Sequence, residues 1–254
     1  MSIGQIQDGA VLRLGFARPE RKNAITAAMY AALADGLQQA AVSPGIRVVV
    51  LHGDAATFTA GNDLGDFLAN PPRGEDAPVH RFLQVLSQFP KPLIGAVCGA
   101  AVGVGTTMLL HCDLVYAGDN ASFSLPFASL GLCPEAASSL LLPALAGHAR
   151  AAEMLMFGEP FDAAQAREIG LVNRVLPAAE VLPFAIERAG RLARQPVASL
   201  IETKRLLRAP LAAAVARAMA DEGATFARMV TEPAAREAFS AFLQKRKPDF
   251  STIG

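Results

Sequence analysis

The chain has little charge and no excess of either sign. Lysine and arginine number 23 and aspartate and glutamate 23 in 254 residues, so the net charge is zero and charged residues make up only 18%. Such a chain gives no electrostatic reason to expect a nucleic acid or an anionic membrane as partner. Cysteine is scarce as well. Cys98, Cys112 and Cys133 are widely spaced in apolar segments and lack any Cys-x-x-Cys or Cys/His ligand spacing, so they read as reduced core thiols. His52, His80, His111 and His148 share no metal-binding spacing, and each is expected at the surface or in a cap. No metal site is expected. No run approaches the roughly 18 apolar residues of a membrane span, and the start "MSIGQIQDGA" lacks the basic and apolar regions of a signal peptide. A soluble, cytoplasmic protein is expected. The P-loop ending Gly-Lys-Ser/Thr does not occur, and "GVGTTM" is only half of a dinucleotide fingerprint, outside the first strand-turn-helix unit.

What is present is apolar. Hydrophobic residues make up 52%, enough for a large core and for surface that an oligomer would hide. "IGQIQ" and "AVLRLGF" alternate as strands about an Asp8-Gly9 turn, and Thr26 can cap a helix running to about Val42. "IRVVVLHG", "PLIGAV", "CDLVYAG" and "LVNRVLP" read as strands, separated by helices at about 78–89, at "GVGTTMLLH" and at "DAAQAREIG". In the last of these Asp162 and Gln165 form a capping box, and Gly170 sits just past the helix end. Alternating strands and helices predict an α/β fold with a largely parallel sheet. Beyond about Leu182 the pattern is helical, with Pro196, Pro210 and Pro233 each placed near a helix start. A boundary is expected near residue 195, dividing a core (1–195) from a helical C-terminal region (196–254).

Two loops stand out. "FTAGNDLGDF" follows one buried strand, and "GAAVGVG" follows the next and leads into a helix. Glycine lets backbone approach a ligand closely, and amides at a helix start point outward with partial positive charge. Two such loops on adjacent strands can aim two amides at one oxygen, which is the geometry of an oxyanion hole.

Five motifs, "RPERKNAIT", "FTAGNDLGDF", "KPLIGAVCGAAVGVG", "HCDLVYAGDNASFSLPF" and "AREIGLVNRVLP", stand in the order and spacing of the crotonase superfamily, also called the enoyl-CoA hydratase/isomerase family. The resemblance runs from about Val11 to Phe250. It implies a crotonase-like spiral of ββα turns, a helical C-terminal trimerisation region, and an acyl-CoA thioester as substrate. CoA would be part of that substrate, so no separate cofactor is implied. The family's assembly would be a homotrimer or a dimer of trimers. Its oxyanion amides fall on Asn62 and Val104. Its CoA-contacting positions fall on Lys22 and Ala24, with Ala60, Gly61, Asp63 and Leu64 at the entry. "QKRKPDF" is similar to the segment with which a neighbouring subunit reaches the CoA, through Lys247 and Phe250.

Departures from the family narrow the reaction. The two hydratase glutamates are replaced by Thr107 and Phe127, so ordinary hydration loses the groups that hold and activate water. "LPFASLGLCPEAASSLLLP" instead resembles the peroxisomal-type Δ3,Δ2-enoyl-CoA isomerases and places their single catalytic acid on Glu135, with Ala136 where that branch usually has glycine. An apolar wall of Leu132, Phe127 and Leu64 would raise the basicity of that acid. A helix-start role for Glu135 remains the other reading. Asp113 reads as structural, Asp63 and Asp66 as loop caps or pocket rim, and Tyr30 and Tyr116 as core. With no tryptophan, the related aromatic-CoA dehalogenase, whose site uses Trp and His, is disfavoured. The expected activity is a double-bond shift in an enoyl-CoA. The alternatives are a hydratase or other crotonase-type lyase, and a catalytically silent acyl-CoA-binding module.

Overall fold

The alternating N-terminal stretch closes on itself at Asp8 and Gly9. Strands β1 (Ile3–Asp8) and β2 (Val11–Phe16) form an antiparallel hairpin with Ile3 opposite Phe16. The computed structural model describes residues 2–69, 74 and 77–253, and the variable stretch "ANPPRGEDAP" falls mostly outside them. Helix α1 (Ala27–Val42) starts where expected, with the Thr26 hydroxyl accepting from the Met29 N–H at 3.4 Å. Its buried Met29, Tyr30, Leu33, Leu37 and Ala40 recur at three- and four-residue spacing, one stripe on the core.

From here the chain coils. Each coil gives one strand to a large sheet, turns a corner, gives a shorter strand to a second sheet, and returns through helix. The first coil is β3 (Val48–His52), β4 (Thr57–Thr59), α2 (Leu64–Ala69) and α3 (Pro78–Gln88). The second is β5 (Leu93–Val97), β6 (Ala100–Val102) and α4 (Val104–Thr107), which tightens to a 3-10 turn at Met108–His111 where the sequence predicts one continuous helix. The third is β7 (Leu114–Gly118), β8 (Ser122–Ser124), α5 (Ser138–Ala146) and α6 (His148–Phe157). β9 (Phe161–Asp162), α7 (Ala163–Glu168) and β10 (Arg174–Leu176) complete it, and the Asp162–Gln165 capping box forms as predicted. The large sheet has the order β1-β2-β3-β5-β7-β10, parallel from β2 onward, and the small one β4-β6-β8-β9. This is the ββα spiral.

Strand alternation sorts the two sides of the large sheet. Val48 and Val50 face α8 (Ala178–Ala193), whose Val181, Ala185 and Ala189 lie one turn apart, while Val49 and Leu51 face the main core. The C-terminal helices α9 (Val197–Arg208), α10 (Ala212–Met229) and α11 (Pro233–Leu243) follow, and Pro210 sits in the 3-10 turn before α10. Phe226 and Phe239 join the main core and meet Phe67 edge-on, with ring centroids 6.2 and 6.4 Å away. Asp113 ties α9 to the sheet. Its Oδ2 accepts from Lys204 Nζ at 2.7 Å and from the Leu93 N–H at 2.8 Å, and Lys204 also donates to the Lys91 carbonyl. Among the described residues no helix is long and apolar enough to cross a membrane.

Candidate active site

The two glycine loops leave the small sheet from neighbouring strands. β4 and β6 run parallel with Thr59 paired to Ala101. Asn62 lies three residues beyond Thr59, and Val104 three beyond Ala101. Each loop needs a glycine to make its turn. Gly61 has φ +82°, and a Cβ there would stand 2.6 Å from the Val102 carbonyl oxygen, so the loops touch through bare backbone. Gly103, at φ 55° and ψ −117°, turns the second loop into α4. The surrounding amides are paired: Gly61 N–H to Thr59 Oγ1, Asp63 N–H to the Ile25 carbonyl, Gly103 N–H to the Ser124 carbonyl. Among the described residues the N–H groups of Asn62 and Val104 have no protein acceptor.

The positions expected to contact CoA border this point. Lys22 and Asn23 adopt left-handed backbone, at φ 50° and 55°. Ala60 N–H donates to the Lys22 carbonyl at 2.9 Å, and Ile25 N–H to the Gly61 carbonyl at 2.8 Å, so residues 22–25 run alongside 60–63. Lys22 is exposed, and Ala24, Ala60, Asp63 and Leu64 are half-buried around buried Gly61. Asp63 pairs with Arg18 at 2.6 Å and accepts from the Asp66 N–H, and Asp66 accepts from the Ala27 N–H at the start of α1. Both acids therefore shape the loop. Asp66 also borders a cavity of about 30 Å³ lined by Tyr30, Asn62, Phe67 and Val79. Lys247 is exposed and Phe250 half-buried beyond α11, and among the described residues no hydrogen bond joins either to these loops within one chain.

Glu135 is buried. Among the described residues its Oε1 has no hydrogen-bond partner, and burial, with the Glu222 carboxylate second, pushes its pKa up to about 8. Phe127 and Leu132 are buried in the core, with Leu64 packed against it. The backbone around the acid is held tightly. Ser138 N–H and Oγ both donate to the Glu135 carbonyl, at 3.1 and 2.6 Å.

Three neighbours carry more than the sequence reading gave them. Tyr30, expected as core, is buried, but its hydroxyl donates to Asn62 Oδ1 at 2.5 Å; burial, then the charge of Glu135, holds the phenol well above its ordinary pKa. His111, expected at the surface or in a cap, is buried. Burial pulls its pKa down to about 4, so the neutral ring donates from Nε2 to the Ala136 carbonyl at 2.8 Å. Glu222 has no motif around it. Its only sequence signal is an acid on the core side of a largely apolar helix. Cys98 is buried and Cys112 and Cys133 are partly so, all three free. Among the described residues no cluster of three or more His, Cys, Asp and Glu could hold a metal ion.

Comparison with known proteins gives this geometry a family. Residues 7–252 match the family model described as enoyl-CoA hydratase/isomerase. The chain is 36% identical over 241 residues to the 2,3-dehydroadipyl-CoA hydratase of Escherichia coli K12, covering 94% of each. It is 36% identical over 207 residues to enoyl-CoA delta isomerase 2 of Rattus norvegicus; the match takes in 79% of this chain and 53% of that protein, so the chain spans about half of that relative. The structure of Pseudomonas aeruginosa OdaA superposes with a TM-score of 0.93 at 46% identity, covering 95% of this chain and 98% of that one. The chain belongs to the enoyl-CoA hydratase/isomerase family.

Proposed function

We propose that the protein moves the double bond of a 3-enoyl-CoA thioester into conjugation. One observation carries the reading: Glu135 is a buried carboxylate with an oxygen unpartnered among the described residues, while Thr107 and Phe127 stand where the family resemblance places the hydratase glutamates. The thioester oxygen is held by the Asn62 and Val104 N–H groups. Glu135 takes a proton from C2, and its electron pair delocalises over the oxygen, C2 and C4 as a dienolate. The two amides stabilise the oxygen end, each donor lowering the barrier by about 3–4 kcal/mol. Glu135 returns the proton at C4, and the double bond now joins C2 and C3. The acid ends as it began.

Lys22, Ala24, Ala60, Gly61, Asp63 and Leu64 would line the CoA entry, and Lys247 and Phe250 of a neighbouring copy would close it. The relative named as a delta isomerase supports this reading. The one named as a hydratase favours a second reading, water addition activated by the same oxyanion site.

Incubation with 3-hexenoyl-CoA and with crotonyl-CoA separates the readings. Conjugated product from the first supports the isomerase, and loss of conjugation in the second supports the hydratase. Turnover of neither would leave a silent acyl-CoA-binding module. Replacing Glu135→Gln is expected to lower kcat for isomerisation by roughly 100- to 10,000-fold with CoA binding kept. Near-full activity in that variant would overturn the assignment.

A further inference from the structure

The turn that carries Glu135 is strained and held from outside. Ala136 and Ala137 both adopt left-handed backbone, at φ 61° and 56°, which costs a residue with a Cβ. The nine-residue helix α5 begins right after them, and Ala137 at its N-cap offers no side-chain acceptor. That gap is filled by a residue 85 positions away. Glu222, buried on α10, accepts the Ala137 N–H at 2.6 Å and the Ser139 N–H at 2.9 Å, one on each carboxylate oxygen. On the other side of the turn the neutral His111 ring donates to the Ala136 carbonyl. The turn is thus gripped at two N–H groups and one carbonyl, all within four residues of Glu135. One helical turn further along α10, Phe226 packs against Phe67 of α2. The same face of α10 therefore reaches both the Glu135 turn and the helix after the Asn62 loop.

An acid is a costly choice for this cap. Burial pushes Glu222 above the usual carboxylate range, and its charge lies close enough to raise Glu135. A serine or asparagine could cap a helix without bringing a second carboxylate to the site. We propose that Glu222 is a positioning residue for the proton transfer, acting on Glu135 through the turn that it clamps and through its own negative charge. The inference rests on Glu135 being the base. The other groups facing the pair are Tyr30 on α1, His111 after α4 and Cys133 on the Glu135 segment; Asp221, Arg217 and Arg228 share α10 with Glu222.

The test is the pH profile of kcat/KM for 3-hexenoyl-CoA in wild type, Glu222→Gln and Glu135→Gln. Glutamine keeps the shape but removes the charge and one of the two acceptors. The acidic limb of Glu222→Gln is expected to move down by about one pH unit, and its plateau to fall by up to the order of 100-fold as the carboxylate loses its aim. A role confined to holding α5 would lower the plateau and leave the limb in place, so an unmoved limb overturns the proposal. Should Glu222→Gln fail to fold, Ala137→Gly/Glu222→Gln relieves the left-handed strain, and the limb is read in that double variant by the same criterion. If Glu135→Gln retains activity, the assignment of the base has failed. If it is inactive while the Glu222→Gln limb is unmoved, only the role of Glu222 has failed.

Discussion

A carboxylate that must take a proton from carbon gains from being kept dry. Glu135 is held so, and its pKa of about 8 means that it carries a proton through the neutral range. As the proposed base it would work only when ionised, so kcat/KM should rise about tenfold per pH unit up to roughly pH 8 and then level off. A limb near the ordinary carboxylate value would contradict the burial. The same shift has a consequence for stability. Between about pH 4.3 and about pH 8 the native chain binds a proton that the unfolded chain has released, so stability falls as pH rises through that window. Thermal melting of Glu135→Gln, which cannot titrate, should fall less from pH 5 to pH 8 than that of wild type. How much of this was legible in the sequence differs residue by residue. Glycines marked the two loops, and an acid behind an apolar run and a proline marked Glu135, while the roles of Glu135, Asn62 and Val104 came from the resemblance to the family. Glu222, Tyr30 and His111 were not marked, because each acts through a contact with chain 25 to 85 residues away, and nothing local distinguishes such a residue from filler.

The elements repeat the lesson. The strands of the large sheet and the capped helices α1 and α7 were readable from alternation, apolar runs and caps, but the three- and two-residue strands of the small sheet, which sit in no such run, were not. Yet the small sheet is what delivers the two loops to one place. Gly61→Ala tests that delivery: its Cβ would meet the Val102 oxygen at 2.6 Å in a backbone conformation that alanine resists. The expected cost is roughly 1–3 kcal/mol in urea unfolding, with turnover of 3-hexenoyl-CoA lost well before the fold is. Asp113→Ala tests the junction of α9 with the large sheet. It leaves the buried Lys204 ammonium without its ion-pair partner, and chemical denaturation should show a loss of about 3–5 kcal/mol. A change under 1 kcal/mol would show that the pair holds nothing.

On the scale of the whole molecule, the surface is more apolar than a lone copy needs. Met156 and Phe157 on α6, Leu206 and Leu207 on α9, and Phe242 and Leu243 on α11 are all exposed. We propose that copies of the chain cover these faces, in the trimer or dimer of trimers that the family resemblance implies. Light scattering on the purified protein should then return three or six chains per particle, and a monomer would refute it. The spiral itself bears on the chemistry. Asn62 and Val104 each stand three residues past a paired rung, Thr59 and Ala101, so the gap between the two proposed donors is set by equal lengths of loop leaving one β-ladder. Exchanging the side chain at either position leaves that gap as it was. Adding or deleting one residue between a rung and its donor would then retune the proposed grip on the thioester, and the proposed hole would be dimensioned by backbone count.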